Sequence, residues 1–307
     1  MIEVKDLHKS YGEVRALRGI SFNVDQSEVL GLLGPNGAGK TTAMRVITGF
    51  LKPTAGEVVI DHLNVQESTE AIQQKIGYLP ENTPLYPDLS VREHLEFSAK
   101  VHGITKAEME QAIRKVTETC GLAEKLPFNV SELSKGYRQR LGLSQALIHD
   151  PEILILDEPT SGLDPNQIIE IRDLIKSLGR AKTVILSTHI MQEVEATCSR
   201  VIVINEGEIV ASGTPAELAQ GEGASHVTRV IVKGPVSKME KALQAIKEAK
   251  EFKQVPGAEQ GTSIFLVSAE VDLRSEISGA VIAAKLELLE ISSEKRTMEE
   301  VFRDLTN

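Results

Sequence analysis

Apolar positions in this chain fall into short blocks separated by glycine, proline and charge, and the period within each block predicts its structure. Residues 2–24 alternate (Ile2, Val4, then Ile20, Phe22, Val24), as antiparallel strands covered on one face do, with Tyr11-Gly12 in the turn. Residues 29–33 are apolar throughout around Gly31, which fits a strand buried on both faces. A glycine-rich stretch from Gly34 to Gly39 follows, and then Met44, Val46, Ile47 and Phe50 recur at helical spacing until Pro53. Residues 56–60 and 75–79 predict two more strands, the second ending at Pro80. Residues 91–121 read as helical, with Leu95, Phe97 and Val101 on one segment and Met109, Ile113 and Val116 on the next. Ser134 is a suitable N-cap for a helix reaching about residue 148. The aliphatic run 153–156 predicts a strand, Asp164-Pro165 a helix start, 183–186 a strand, and 201–204 with 208–211 a hairpin.

After Gly213 the texture changes. Residues 220–225 are small and polar, which predicts a linker and a domain boundary near residue 222. Beyond it, strands at 228–232, 263–267 and 286–291 with helices at 238–249 and 273–284 predict a small α+β unit, followed by a closing helix at 297–305.

Candidate chemistry concentrates where strand, glycine loop and helix adjoin. The run Gly34-Pro35-Asn36-Gly37-Ala38-Gly39-Lys40-Thr41-Thr42 fits G-x-x-x-x-G-K-[ST] in the strand-to-helix setting that makes it a phosphate-binding loop. Its glycines can turn successive N–H groups toward one anion, and the helix start adds free donors and a positive dipole end. Lys40 is a mobile point charge for terminal phosphates, and the Thr41 hydroxyl can ligate Mg²⁺. An aliphatic strand ending in Asp157-Glu158 delivers acids to the same edge of a parallel sheet. Asp157 then suits the Mg²⁺ shell, and Glu158 suits polarisation of an attacking water.

Composition narrows the setting. The 307 residues are long enough for two domains, and the net charge of −10 argues against binding to nucleic acid or to an anionic lipid surface. No apolar run approaches the roughly 20 residues that cross a bilayer, and residues 1–10 lack a signal-peptide pattern. The two cysteines, Cys120 and Cys198, show no metal spacing and read as buried thiols in a reducing cytoplasm.

Tyr11, the loop from Gly34 to Thr42, Leu133-Ser-Lys-Gly-Tyr137, the strand into Asp157-Glu158, Ser161-Gly-Leu-Asp164 and His189 occur in this order. On these motifs residues 1 to about 220 resemble the nucleotide-binding domain of an ABC transporter. The resemblance implies an α/β P-loop NTPase of ABC type over residues 1–222. Its parts would be a mixed sheet core, an antiparallel N-terminal β sub-domain and a helical sub-domain at about 82–150, with an accessory domain at 223–307. It further implies an ATPase using ATP and Mg²⁺, with Tyr11 stacked on adenine, Lys40 and the loop amides on the phosphates, and Thr41 and Asp157 on the metal. Glu158 would be the general base and His189 the switch residue. Ser134, Lys135, Gly136, Tyr137 and Asp164 would serve the site of a second subunit, so the resemblance implies a homodimer or a pairing with a related cassette.

Two departures from the family pattern stand out. Glu81 replaces the usual glutamine after the Tyr78-Leu79-Pro80 strand, adding negative charge near the metal, and Lys135 and Tyr137 replace two members of the usual Leu-Ser-Gly-Gly-Gln. Both variants, with the ending at residues 296–306, resemble export-type ATPases that pair with ABC-2 type permeases. That implies a place on the inner face of the cell membrane, held by a permease that touches Tyr86, Leu89 and Val91. The alternative is a soluble ABC ATPase acting on ribosomes or DNA. The single cassette, the missing coiled coil and the acidic balance count against it.

Overall fold

The computed structural model describes residues 2–220, 226–255, 261–294 and Phe302. The chain divides into two compact units, one spanning Met1–Pro215 and the other beginning at Ala216.

In the first unit, β1 (Ile2–Tyr11) and β2 (Val14–Val24) form the antiparallel pair that the alternation predicts, with Ile2 opposite Val24. β3 (Val29–Leu33) leads through the glycine loop into α1 (Lys40–Ile47). Left-handed Gly49 ends α1 ahead of Pro53, so Phe50 lies beyond the helix and is exposed, not on its buried face. β4 (Ala55–Ile60), β5 (Leu63–Asn64), α2 (Thr69–Gln73) and β6 (Ile76–Leu79) follow. Residues 91–121 form two helices, α3 (Val91–Val101) and α4 (Lys106–Cys120), opened by the capping boxes Ser90/Glu93 and Thr105/Glu108. α3 buries Val91, His94, Leu95, Ser98 and Ala99, and leaves Phe97 and Val101, grouped with Leu95 in the helical reading, exposed.

Next come α5 (Lys135–Leu147), capped by Ser134 as predicted, β7 (Ile153–Asp157) and α6 (Pro165–Leu178) with Pro165 in its first turn. β8 (Thr183–Thr188), α7 (Met191–Thr197), β9 (Arg200–Asn205) and β10 (Glu208–Gly213) complete the unit. Glu206 and Gly207 join β9 to β10 with positive φ, as a tight hairpin turn requires.

Two sheets share one core. The first is antiparallel, in the order β2-β1-β4-β5; the second runs β10-β9-β3-β8-β7-β6. In the second, β9, β3, β8, β7 and β6 are parallel. Their carboxyl ends therefore bring the glycine loop, Asp157 and Thr188 to one edge, where ligands of such sheets bind. Met44 and Ile47 of α1 belong to the same buried cluster as Ile20 and Ile60 of the first sheet and Leu32 and Ile155 of the second.

Gly31 owes its place to packing. A Cβ there would stand 2.8 Å from Sγ of Cys198, whose thiol is pushed up to about 12 by burial and then by Glu193. Gly31→Ala is expected to destabilise the unit by about 1–3 kcal/mol through overpacking. Cys198→Ala should recover part of that loss, which a double-mutant cycle of urea midpoints measures.

α8 (Pro215–Gln220) straddles the division between the units. The second unit contains β11 (His226–Lys233), α9 (Val236–Gln244), β12 (Ala249–Val255), β13 (Thr262–Ala269), α10 (Arg274–Ala283) and β14 (Glu287–Glu294). Its antiparallel order β12-β13-β11-β14 makes a split βαβ sandwich, with Val230, Phe265 and Val267 packed against Met239, Leu243, Ile277 and Val281. The helix predicted over 238–249 stops at Gln244, and residues 249–255 are instead strand β12. Its Glu251 and Lys253 suit a sheet edge but mask the strand pattern. The predicted linker from residue 221 and the closing helix, Phe302 apart, lie outside the described residues. Among the described residues no helix is long and apolar enough to cross a membrane.

Candidate functional site

A cavity of about 410 Å³ is lined by Asn36, Gly37, Ala38, Gly39, Lys40, Thr41, Thr42, Glu81, Glu158 and His189, joined by Ala16 and Ser161. Two glycines of the loop have no room for a side chain. A Cβ on Gly34 would lie 2.3 Å from the Ile204 carbonyl oxygen, and one on Gly39, at φ 110°, 2.6 Å from that of Ala16. The Gly207 N–H also donates to the Ala38 carbonyl at 3.0 Å, so the β9–β10 hairpin supports the loop from behind. α1 carries no acid in its first turn, which leaves its N-terminal donors and dipole to an anion.

Lys40 is buried at the base of the loop. Its Nζ donates to the carbonyls of Gly34 at 2.7 Å and Pro35 at 3.2 Å, and stands 3.7 Å from Glu158 Oε1. Burial pulls its pKa below the usual lysine value, against the opposing pull of Glu158, Asp157 and Glu81. Asp157 Oδ1 accepts from Ser187 Oγ at 2.6 Å and from Thr41 Oγ1 at 3.1 Å, while its Oδ2 is buried without a hydrogen-bond partner. A buried carboxylate oxygen left open beside a hydroxyl is a donor set that fits a hard divalent cation such as Mg²⁺.

Glu158 has a left-handed backbone, φ 49°, a conformation that costs a non-glycine residue on the order of 1–3 kcal/mol. Its N–H donates to Ser187 Oγ at 3.0 Å, and its Oε2 lies 2.9 Å from His189 Nδ1. Lys40, Thr41, Glu81, Asp157, Glu158 and His189 thus meet at one sheet edge. Tyr11 does not line the cavity; it is half exposed, with the Lys9 ammonium 5.2 Å from its ring centre. Ala16 lines the cavity without having been foreseen, because an alanine after a turn carries no chemical signal of its own.

The start of α5 lies apart from that cavity. Ser134 Oγ accepts from the Tyr137 N–H at 3.4 Å, α5 has no acid in its first turn, and the Tyr137 ring lies under Lys125 at 5.0 Å. This helix start interlocks with the start of α6, where Asp164 accepts from the Gln167 N–H at 3.0 Å. Lys135 lies over Gly162, whose added Cβ would meet Lys135 Nζ at 1.9 Å, and Gln167 lies over Gly136, whose Cβ would meet Gln167 Cδ at 2.6 Å. Of the residues expected at a permease, Tyr86 is exposed and Leu89 half-buried. Val91 is fully buried in the first turn of α3, a core residue that no partner can touch.

Residues 17–161 match the family model for ABC transporters. The chain is 32% identical to the linearmycin resistance ATP-binding protein LnrL of Bacillus subtilis, over 100% of this chain and 98% of that protein. It is 39% identical to the Nod factor export ATP-binding protein I of Paraburkholderia xenovorans, over 77% of this chain and 78% of that one. Among solved structures it is similar to the dimeric, post-hydrolysis cassette MJ0796 bound to ADP and Pi, with a TM-score of 0.65 and 28% identity. That likeness covers 70% of this chain and 98% of that one. The chain belongs to the ABC transporter family, as an ATP-binding subnit with the family's ATPase chemistry.

Proposed function

We propose that two copies of this chain, or this chain and a related cassette, close head to tail over two ATP molecules with Mg²⁺ and drive an ABC-2 type export permease. One observation carries the reading. The cavity gathers Lys40, Thr41, Glu158 and His189, whereas the acid-free helix start at Ser134 and Gly136, the second anion-binding terminus, lies outside it. A second protomer can bring that terminus over the first protomer's phosphates.

Within one half-site, Lys40 exchanges the carbonyls of Gly34 and Pro35 for the terminal phosphates, and the loop N–H groups take the remaining oxygens. Thr41 and Asp157 would hold Mg²⁺, with Glu81 beside them, and the bound ion would neutralise charge on the phosphates. Glu158 accepts the proton of the attacking water, and His189, hydrogen-bonded to it, orients the pair. Tyr11 stacks on adenine, and Lys135, Tyr137 and Asp164 flank the donating terminus on the partner's side.

The names of the relatives above, export and resistance proteins, support an exporter. Tyr86 and Phe97, edge to face at 5.4 Å and both exposed, offer the apolar surface a cytoplasmic permease loop would need. Ser134→Arg tests the shared site. Turnover is expected to fall at least a hundredfold with the single subunit's ATP affinity within about twofold of wild type, the size of effect that loss of a transition-state anion donor gives. Equal loss of ATP binding by the monomer would mean that Ser134 acts within its own chain.

A further inference from the structure

We propose that Glu193 is a positioning residue for hydrolysis, holding the Glu158 turn and the His189 turn at a fixed separation. Glu193 lies on α7 and is 3% exposed. Its carboxylate accepts from two threonine hydroxyls, Thr160 Oγ1 at 2.5 Å and Thr188 Oγ1 at 2.7 Å. Thr160 is two residues after Glu158, and Thr188 immediately precedes His189; both are buried. One carboxylate therefore clamps the two strand ends that carry the paired groups. The Ile190 N–H donates to Thr188 Oγ1 at 3.0 Å, which fixes that hydroxyl as a donor toward Glu193.

The chemistry of the clamp is specific. A buried carboxylate is expensive to keep, and among the described residues its hydrogen-bond partners are the two threonine hydroxyls. A packing role would be met more cheaply by an aliphatic side chain. A carboxylate accepts with both oxygens, so both hydroxyls are drawn onto one rigid plane. The clamp complements the Ser187 bridge between Asp157 and the Glu158 N–H, which ties the strands deeper in the sheet. Together they leave the Glu158–His189 pair little freedom to drift apart.

The inference rests on reading Glu158 as the base and His189 as its partner. Steady-state ATP hydrolysis by the full chain tests it with Glu193→Ala, Glu193→Gln, Thr160→Val and Thr188→Val. Glu193→Ala is expected to lower kcat about tenfold to a hundredfold with KM within twofold, as a misplacement of about 1 Å does. Each threonine variant should give part of that loss and add little to Glu193→Ala, and Glu193→Gln, which can accept from only one of the two hydroxyls, should recover only part of it. Nucleotide-dependent dimerisation in a Glu158→Gln background should survive every change. Wild-type kcat in both threonine variants, or a KM that rises in step with the loss, overturns the proposal. If Glu193→Ala fails to fold, the threonine variants decide the matter at the same contacts. Unchanged kcat in Glu158→Gln alone would instead overturn the base assignment, leaving the clamp as a measured fact about kcat.

Discussion

Glu158→Gln is expected to lower ATP turnover by about a hundredfold or more while leaving a nucleotide-bound dimer that elutes ahead of the monomer on a sizing column. A general base contributes about 10²–10⁴-fold, and glutamine cannot take the proton. Glutamine does keep the length of the side chain and its amide oxygen, and the contacts of the Glu158 backbone with Ser187 remain available. Removing one negative charge beside Lys40 also lessens repulsion of the phosphates, which favours the closed state. Wild-type turnover in Glu158→Ala would remove the base assignment. A Glu158→Gln protein that stays monomeric with magnesium nucleotide, alone and with its permease, would remove the shared site.

Lys40→Ala is the second large effect. The ammonium is buried, donates to two loop carbonyls, and is poised to transfer its charge to a ligand without first leaving water. Hydrogen bonds to charged groups contribute about 1.5–3 kcal/mol, so ATP affinity should fall roughly 10–150-fold. Glu158 Oε1, already without a hydrogen bond, would also lose its only nearby cation among the described residues. Titration with a fluorescent ATP analogue reads the affinity; a change below threefold would show that the loop amides hold the phosphates without help from Lys40.

Much of the first unit was legible because its signals are local. The short aliphatic runs in β3, β7 and β8, too brief for a helix and bounded by turn residues, fit buried strands, and the loop from Gly34 to Thr42 carries its own chemistry in its order. The Ser134 cap of α5 and the Asp164 cap followed by Pro165 in α6 marked two helix starts. Errors arose where tertiary packing outranks local period. Phe97 and Val101 are four residues apart and share an outward face, whereas Leu95 falls with Val91, His94, Ser98 and Ala99 on the interior one, where two of the five are polar and do not announce a core. β12 was hidden by the charges of an edge strand, and Val91 was placed at the permease by its position in the helical insert, where a short apolar residue suits a groove and a core equally. The site followed the same rule. Residues with reactive groups announced themselves, whereas Ala16 and the reciprocal fits of Lys135 on Gly162 and Gln167 on Gly136 depend on contacts between distant segments.

The hairpin behind the phosphate loop has a consequence for how the protein is made. Ile204 and Gly207, which shape Gly34 and bond to Ala38, emerge from the ribosome long after Lys40. A nascent chain stopped at residue 199 holds every group needed to touch nucleotide but lacks the brace that gives the loop its form. Arrested chains should therefore begin to retain ATP only once residue 213 has cleared the exit tunnel, so that competence arrives with the completion of β10 and not with the motif itself.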